Sequence, residues 1–339
     1  ILGMRSALVV CFVALLAWAV ILNRAPRNAG LWTRRVPSEF LPEWSKITLS
    51  FGETSYKVFS SNTTTPKGLL LCVHGFSTPT DMVWTTFAEL AAEQGYVVLI
   101  YDLYGRGSSE APYAPQTPSL FSSQLAELFF KLQHAEEIPS GLPTSLIGLS
   151  MGGAIAVKFS NSFHVLVDQL ILIAPAGLGA PIPWFTPLMD IPYVGDWLMK
   201  ILAPYAIQQR ISSLYGNYGE DNWEGKLAIA EWSKSLSSAL ANQFEKHPGF
   251  ADSLLATIRD FPLTDMEYEY KALAKAAPDL PIHFIWGEND TTCPPPTKQH
   301  LQQLVPGSHV HMITGAEHDL VVSRVSTVFN VVLSILETN

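Results

Sequence analysis

A chain of 339 residues that is 48% apolar and only 15% charged is too hydrophobic and too weakly charged to remain disordered. Its 21 basic and 30 acidic residues leave a net charge of −9, so a polyanion meets repulsion and nucleic acid is not an expected partner. Cys11, Cys72 and Cys293 are too few and too scattered for a disulfide framework or a zinc cluster, so the core must hold the fold unaided.

Every residue from Ala7 to Leu22 is apolar, with Arg5 before the run and Arg24 and Arg27 after it. As a helix this run is about 24 Å long, slightly short of a hydrocarbon core of roughly 30 Å unless the flanking arginines snorkel. Residues 1–24 are therefore read as a short single-pass membrane anchor. The alternative is a cleaved secretory signal, because Ala17-Trp18-Ala19 has the small-x-small form. A buried core helix is the third reading, but the first strand begins only near Ile47 and leaves the run without a partner. Arg24, Arg27, Arg34 and Arg35 outnumber Arg5, which by the positive-inside rule favours a cytoplasmic body. Asn62-Thr63-Thr64 would accept a glycan in the opposite orientation and so reports on sidedness. Met4, just before Arg5, is a candidate start of translation.

After a linker over residues 25–44, short apolar runs alternate with longer helical patterns, the rhythm of a mostly parallel sheet covered by helices. Strands are predicted at Ile47–Phe51, Tyr56–Ser60, Gly68–Val73, Tyr96–Tyr101, Thr144–Leu149, Gln169–Ala174, Pro281–Trp286 and His309–Thr314. The first two form an antiparallel edge, while Leu69–Val73 and Val97–Ile100 are apolar on both faces, as strands buried on both sides are. Helices are predicted at Trp84–Gln94, Leu120–Ala135, Met151–Ser160, Pro296–Leu304 and Val321–Leu336. From 178 to 277 no strand-like run occurs, only helical pieces punctuated by prolines and rich in aromatics such as Trp184, Trp197, Tyr205, Trp223 and Trp232. This segment is read as a helical lid between the two parts of an α/β core, 45–177 and 278–339.

Gly148-Leu149-Ser150-Met151-Gly152 lies between an apolar strand and a helical pattern. A strand that turns abruptly into a helix exposes one side chain at the sheet edge only if the residues two positions away lack bulk. Ser150 is the candidate nucleophile, and the helix N-terminus aims free N–H groups at an anion forming beside it. A serine hydroxyl needs a base in reach, itself oriented by a third group. Two later strand ends supply them: Gly287-Glu288-Asn289-Asp290 carries the candidate acid Asp290, and Gly315-Ala316-Glu317-His318 the candidate base His318. Glu288 is the alternative acid. His74-Gly75-Phe76 follows a buried strand, so the backbone N–H groups of Phe76 and Met151 are the expected oxyanion donors. His74 is expected to brace this loop without moving protons.

The chain resembles the α/β hydrolase superfamily from about Ile47 to its end, in the lidded serine-hydrolase branch with a His-Gly-Phe loop. The resemblance rests on His74-Gly75-Phe76, the segment Asp102 to Ser109, Gly148 to Gly153, Gly287 to Asp290 and Gly315 to His318. It implies an eight-stranded, mostly parallel sheet with helices on both faces and the chain order Ser150, Asp290, His318 for nucleophile, acid and base. It also implies that Asp102 shapes the turn after its strand. A serine at position 150 argues against the epoxide hydrolase and dehalogenase branches, which carry aspartate there. Leu149 departs from the polar residue that many lipases and carbon-carbon hydrolases have before the serine.

His309 and His311 share one face of a strand, but no third ligand is near in sequence, so packing is expected and no metal. Gly225-Lys226 lacks the rest of a phosphate-binding loop, and no nucleotide cofactor is expected. Asn289-Asp290-Thr291 matches a glycan acceptor by coincidence. The expected activity is hydrolysis of carboxylic esters with an apolar or lipid acyl group, through an acyl-enzyme on Ser150. The alternatives are carbon-carbon or amide hydrolysis by the same residues, or a slow, receptor-like hydrolase. The sequence leaves the oligomeric state open.

Overall fold

The computed structural model describes residues 33–34, 44–61, 65–181, 186–215, 223–225 and 227–338. The apolar run Ala7–Leu22, the glycan acceptor Asn62-Thr63-Thr64 and Trp184 lie outside these residues. Among the described residues no helix is long and apolar enough to cross a membrane.

Eight strands form one sheet: β2 (Ser45–Leu49), β3 (Gly52–Phe59), β4 (Leu69–Val73), β5 (Val97–Tyr101), β7 (Thr144–Leu149), β8 (Gln169–Ile173), β9 (Ile282–Gly287) and β10 (His309–Ile313). Their spatial order is β10-β9-β8-β7-β4-β5-β3-β2. β3 runs antiparallel to both β2 and β5, and the remaining pairs are parallel. The antiparallel edge and the parallel centre match the sequence reading. Every residue of β4, β5, β7 and β8 is buried, as expected of strands covered on both faces. A further pair of short strands, β1 (Thr33–Arg34) and β6 (Ala111–Pro112), forms a separate antiparallel ribbon.

Helices α1 (Thr80–Glu93), α2 (Pro118–His134), α3 (Met151–Phe163), α10 (Lys298–Leu304), α11 (Leu320–Ser323) and α12 (Val325–Glu337) pack around the sheet. α1 begins four residues before the apolar pattern does, because Asp102 Oδ1 accepts the Thr80 N–H at 3.2 Å and so receives an N-terminal donor of the helix. Between β8 and β9 the described residues form helices, apart from one isolated bridge that pairs Leu178 with Asp265: α4 (Thr186–Met189), α5 (Val194–Trp197), a π turn over Leu198–Leu202, α6 (Ala203–Tyr215), α7 (Ile229–Lys246), α8 (Phe250–Asp260) and α9 (Glu267–Ala276). This helical insertion has its own apolar cluster, built on Met199, Ile211, Trp232, Leu236, Leu240, Phe250 and Leu254. Phe76 and Val322 of the core pack against that cluster, so the insertion sits directly over the sheet's functional edge.

Candidate active site

Ser150 occupies the turn between β7 and α3 with φ 56° and ψ −121°, a backbone conformation that L-residues rarely adopt. The surrounding contacts enforce it. A Cβ on Gly148 would collide with the Gly152 carbonyl, and a Cβ on Gly152 with the carbonyl of Val73 in β4. Ser150 N donates to Ile173 O at 2.9 Å, and its carbonyl accepts from Ala176 N at 2.9 Å, which pins the turn to the end of β8.

The three residues expected to converge do so. His318 Nε2 lies 3.0 Å from Ser150 Oγ, and His318 Nδ1 lies 2.8 Å from Asp290 Oδ2. The Asp290 carboxylate is wholly enclosed, and its other oxygen accepts the N–H groups of Thr292 and Cys293, both at 2.8 Å. The acid and base loops are tied together by their backbones: Glu288 N donates to Ile313 O at 3.0 Å and Asn289 N to Ala316 O at 2.9 Å. Glu288, the alternative acid, instead accepts the Gly315 N–H at 3.2 Å and makes no bond to His318. With the carboxylate accepting at Nδ1, the imidazole leaves Nε2 free to take the serine proton.

Met151 is the first residue of α3, so its N–H has no intrahelical acceptor. The Gly75-Phe76 loop passes beside the nucleophile closely enough that a Cβ on Gly75 would lie 3.4 Å from Ser150 Cβ. The expected donor residue Met151 thus follows Ser150 directly, and the loop that carries Phe76 runs beside it. His74 is fully buried, and its Nε2 accepts the Leu103 N–H at 2.9 Å, the bracing contact expected of it. Burial, with the nearby Arg106 charge, pushes its pKa down to about 3, so it remains neutral. Asp102 is likewise structural: its carboxylate accepts from Thr80 N at 3.2 Å and Ser108 N at 2.9 Å.

Cys293, which the sequence reading left unassigned, stands beside the nucleophile. Burial and the Asp290 charge push its pKa up to about 12, while a hydrogen bond with the Ser150 side chain acts in the opposite sense. The thiol stays protonated and does not compete as a nucleophile. Arg106 was also missed, although it lies in the Asp102 to Ser109 motif. Its guanidinium is fully buried and Nε donates to the carbonyl of Phe76 at 3.0 Å.

A cavity of about 310 Å³ opens at Ser150 and His318. Ile207, Ile211, Trp232, Leu236 and Leu240 of the insertion wall it opposite Gly75, Phe76 and Leu149. Among the described residues its charged lining groups are Glu317 and Asp319, on either side of His318, and no lysine or arginine lines it. A wider cleft of about 770 Å³, between Ala111–Gln116 and the insertion, contains none of the three converging residues. His309 and His311 stack on His283 at the sheet edge, with His283 Nδ1 3.2 Å from His311 Nε2. No group of three or more potential ligands able to hold a metal occurs among the described residues.

The sheet order, the strained serine turn and the Ser150, His318 and Asp290 convergence define an α/β hydrolase. The chain belongs to the Hydrolase_4 family, described as serine aminopeptidase, S33, whose model matches residues 64–324. It is similar to Lipase 3 of Moraxella sp. (strain TA144), 24% identical over 290 residues, 85% of this chain and 82% of that one. It is also similar to the 2-hydroxy-6-oxononadienedioate/2-hydroxy-6-oxononatrienedioate hydrolase of Burkholderia vietnamiensis (strain G4 / LMG 22486), 25% identical over 272 residues, 78% of this chain and 85% of that one. A solved thermophilic esterase from Thermogutta terrifontis superposes with a TM-score of 0.65 at 20% identity, covering 87% of this chain and 98% of that one. The last likeness shows the fold.

Proposed function

We propose that the protein hydrolyses carboxylic esters with a neutral, apolar acyl group. The observation that carries this reading is the apolar cavity that opens at Ser150 and His318 with no lysine or arginine among its described lining residues. His318, oriented by Asp290, takes the proton of Ser150 as Oγ attacks the ester carbonyl. The N–H groups of Phe76 and Met151 hold the oxygen as it gains negative charge. His318 then gives its proton to the departing alcohol, leaving an acyl-enzyme. Water, deprotonated by the same imidazole, releases the acid. The insertion serves as the lid that walls the acyl pocket.

The similarity to a carbon-carbon hydrolase keeps a second reaction in view. The name of that relative describes a dicarboxylate substrate. Here the described lining of the cavity is mostly apolar and offers no lysine or arginine to receive a second carboxylate. The apolar lining therefore favours a neutral ester over a dianionic diketone. A panel of p-nitrophenyl esters compared with dicarboxylate ring-cleavage products tests the choice. Ester turnover and fluorophosphonate labelling, both abolished in Ser150→Ala, are expected; turnover confined to the dicarboxylates would reverse the assignment.

We further propose that residues 1–24 hold the enzyme at a membrane, where apolar esters are concentrated. The outer face of the insertion suits such a surface: Trp197, Ile201 and Tyr205 recur at helical spacing and are 56%, 58% and 65% exposed. Co-sedimentation of the full chain with phospholipid vesicles is expected, and its persistence after Leu15→Asp and Leu16→Asp would overturn the role of the N-terminal run.

A further inference from the structure

Arg106 is a cation buried completely among neutral acceptors. Nε donates to Phe76 O at 3.0 Å, one terminal nitrogen to Tyr104 O at 2.9 Å and Gln116 Oε1 at 3.3 Å, and the other to Thr257 Oγ1 at 2.6 Å. The guanidinium also lies over the rings of Phe76 and Phe121, at 5.8 Å and 5.4 Å. Burial lowers its pKa to about 9, which still leaves it charged at neutral pH. Keeping a charge out of water without a carboxylate among these partners is costly, so its placement calls for a physical reason.

Two of those partners supply one. Phe76 carries an expected oxyanion donor, and Thr257 belongs to α8 of the insertion. A second side chain makes the same connection. Gln243 of α7, fully buried, accepts the Gly107 N–H at Oε1 at 2.6 Å and donates from Nε2 to Ser77 O at 3.4 Å. His247, at the end of α7, adds a contact of 2.9 Å to Ser109 O. The carbonyls of two consecutive oxyanion-loop residues are thus held: that of Phe76 by Arg106, itself bonded to Thr257 of the insertion, and that of Ser77 by Gln243 of the insertion. The Phe76 carbonyl and N–H lie in adjacent peptide planes joined at Cα, so holding the carbonyls of Phe76 and Ser77 restrains the backbone torsions through which the Phe76 N–H is aimed. The buried charge behind the loop adds a field that favours negative charge on the attacked oxygen.

We propose that Arg106 and Gln243 are positioning residues that set the oxyanion donor at Phe76 and make it depend on correct seating of the helical insertion. This rests on the Ser150 ester-hydrolase reading. Arg106, Gln243 and Thr257 are absent from the cavity lining, so they touch no bound acyl group and act only through the loop. A substrate therefore gains full stabilisation of its tetrahedral state only when the wall of its pocket is in place.

The test uses full-length Gln243→Met, Thr257→Val and Arg106→Lys proteins, each verified as folded by near-ultraviolet circular dichroism. The p-nitrophenyl ester kcat is expected to fall roughly 10–100-fold in Gln243→Met and Arg106→Lys and roughly 3–10-fold in Thr257→Val. KM should change less than threefold. A trifluoromethyl ketone with a hexyl chain provides the discriminating measurement. Ser150 Oγ bonds to its carbonyl carbon, the serine proton passes to His318, and the carbonyl oxygen becomes the bound anion. Its Ki is expected to rise in proportion to the loss of kcat/KM, while the Ki of hexyl alcohol, which forms no anion, stays constant. Folded variants with unchanged kcat, or parallel weakening of ketone and alcohol, would overturn the inference. Should Arg106→Lys fail to fold, the two insertion variants decide it. An inactive wild-type enzyme that fluorophosphonate does not label would instead refute the ester reading.

Discussion

Asp290 meets His318 with one oxygen, Oδ2, at 2.8 Å, and spends the other on two backbone N–H groups of its own loop. The carboxylate is therefore held from both ends, and its orientation belongs to the loop rather than to a free rotamer. Replacing it by asparagine changes the chemistry at only one end: an amide N–H facing Nδ1 selects the wrong imidazole tautomer. Asp290→Asn is expected to lower kcat by about 10⁴-fold with a preserved fold. Glu288→Gln, which alters only the tie to Gly315, should stay within about threefold of wild type. Steady-state ester kinetics on the two variants distinguishes the acid from its neighbour.

The cavity proposed to hold the acyl group is bounded by Leu236 and Leu240 of α7. At about 30 Å³ per water-sized group, a volume of about 310 Å³ accommodates about ten methylene-sized units. Leu240→Trp removes part of that room and is expected to shift the best p-nitrophenyl ester to a shorter chain, with kcat/KM for the longest accepted ester falling roughly tenfold. An unchanged chain-length profile would place the acyl group elsewhere.

His283 is packed between His309 and His311, and burial together with their charges lowers its pKa from 6.5 to about 4. The unfolded chain then binds a proton that the folded one refuses, so stability is lost as pH falls from about 6.5 towards about 4. His283→Phe keeps the stacked shape and removes the titration. Its Tm should decline less than that of wild type between pH 6.5 and 4.5, measured by thermal melts in matched buffers.

Asp102 has the opposite sign. Burial raises its pKa from 3.8 to about 7, so the folded protein retains a proton that the unfolded chain releases. Stability from this group is fully present below pH 3.8 and is lost as pH rises towards 7. Asp102→Asn is expected to flatten that loss, at the cost of one backbone donor left without its acceptor. Comparing Tm at pH 4.5 and 7.5 in both proteins isolates the slope from the overall destabilisation.

The parallel centre of the sheet was legible because Leu69–Val73 and Val97–Tyr101 are apolar without interruption, and burial on both faces demands that. Ser150 was legible because glycine at 148 and 152 leaves room for the carbonyls of Gly152 and Val73. Asp290 was preferred to Glu288 from the sequence, but both stand in one short loop, and the direction of the chain after Gly287 is what separates them. Arg106 was hidden for a different reason. Its contact with Thr257 spans 151 positions, and no periodicity or spacing encodes that distance. The β1–β6 ribbon escaped because two residues per strand carry no hydrophobic period, and the insertion showed its helices only as proline-punctuated pieces.

That small ribbon fixes where the N-terminal segment joins the body. Thr33 pairs with Pro112 and Arg34 with Ala111, at one wall of the cleft whose other side includes Asp190 and Lys200 of the insertion. Eleven positions separate Leu22 from Thr33, a leash of at most about 40 Å when fully drawn out. Under the proposed capture of the apolar N-terminal run by a membrane, that reach limits how far the ribbon's wall of the cleft, and the insertion facing it, can stand from the bilayer.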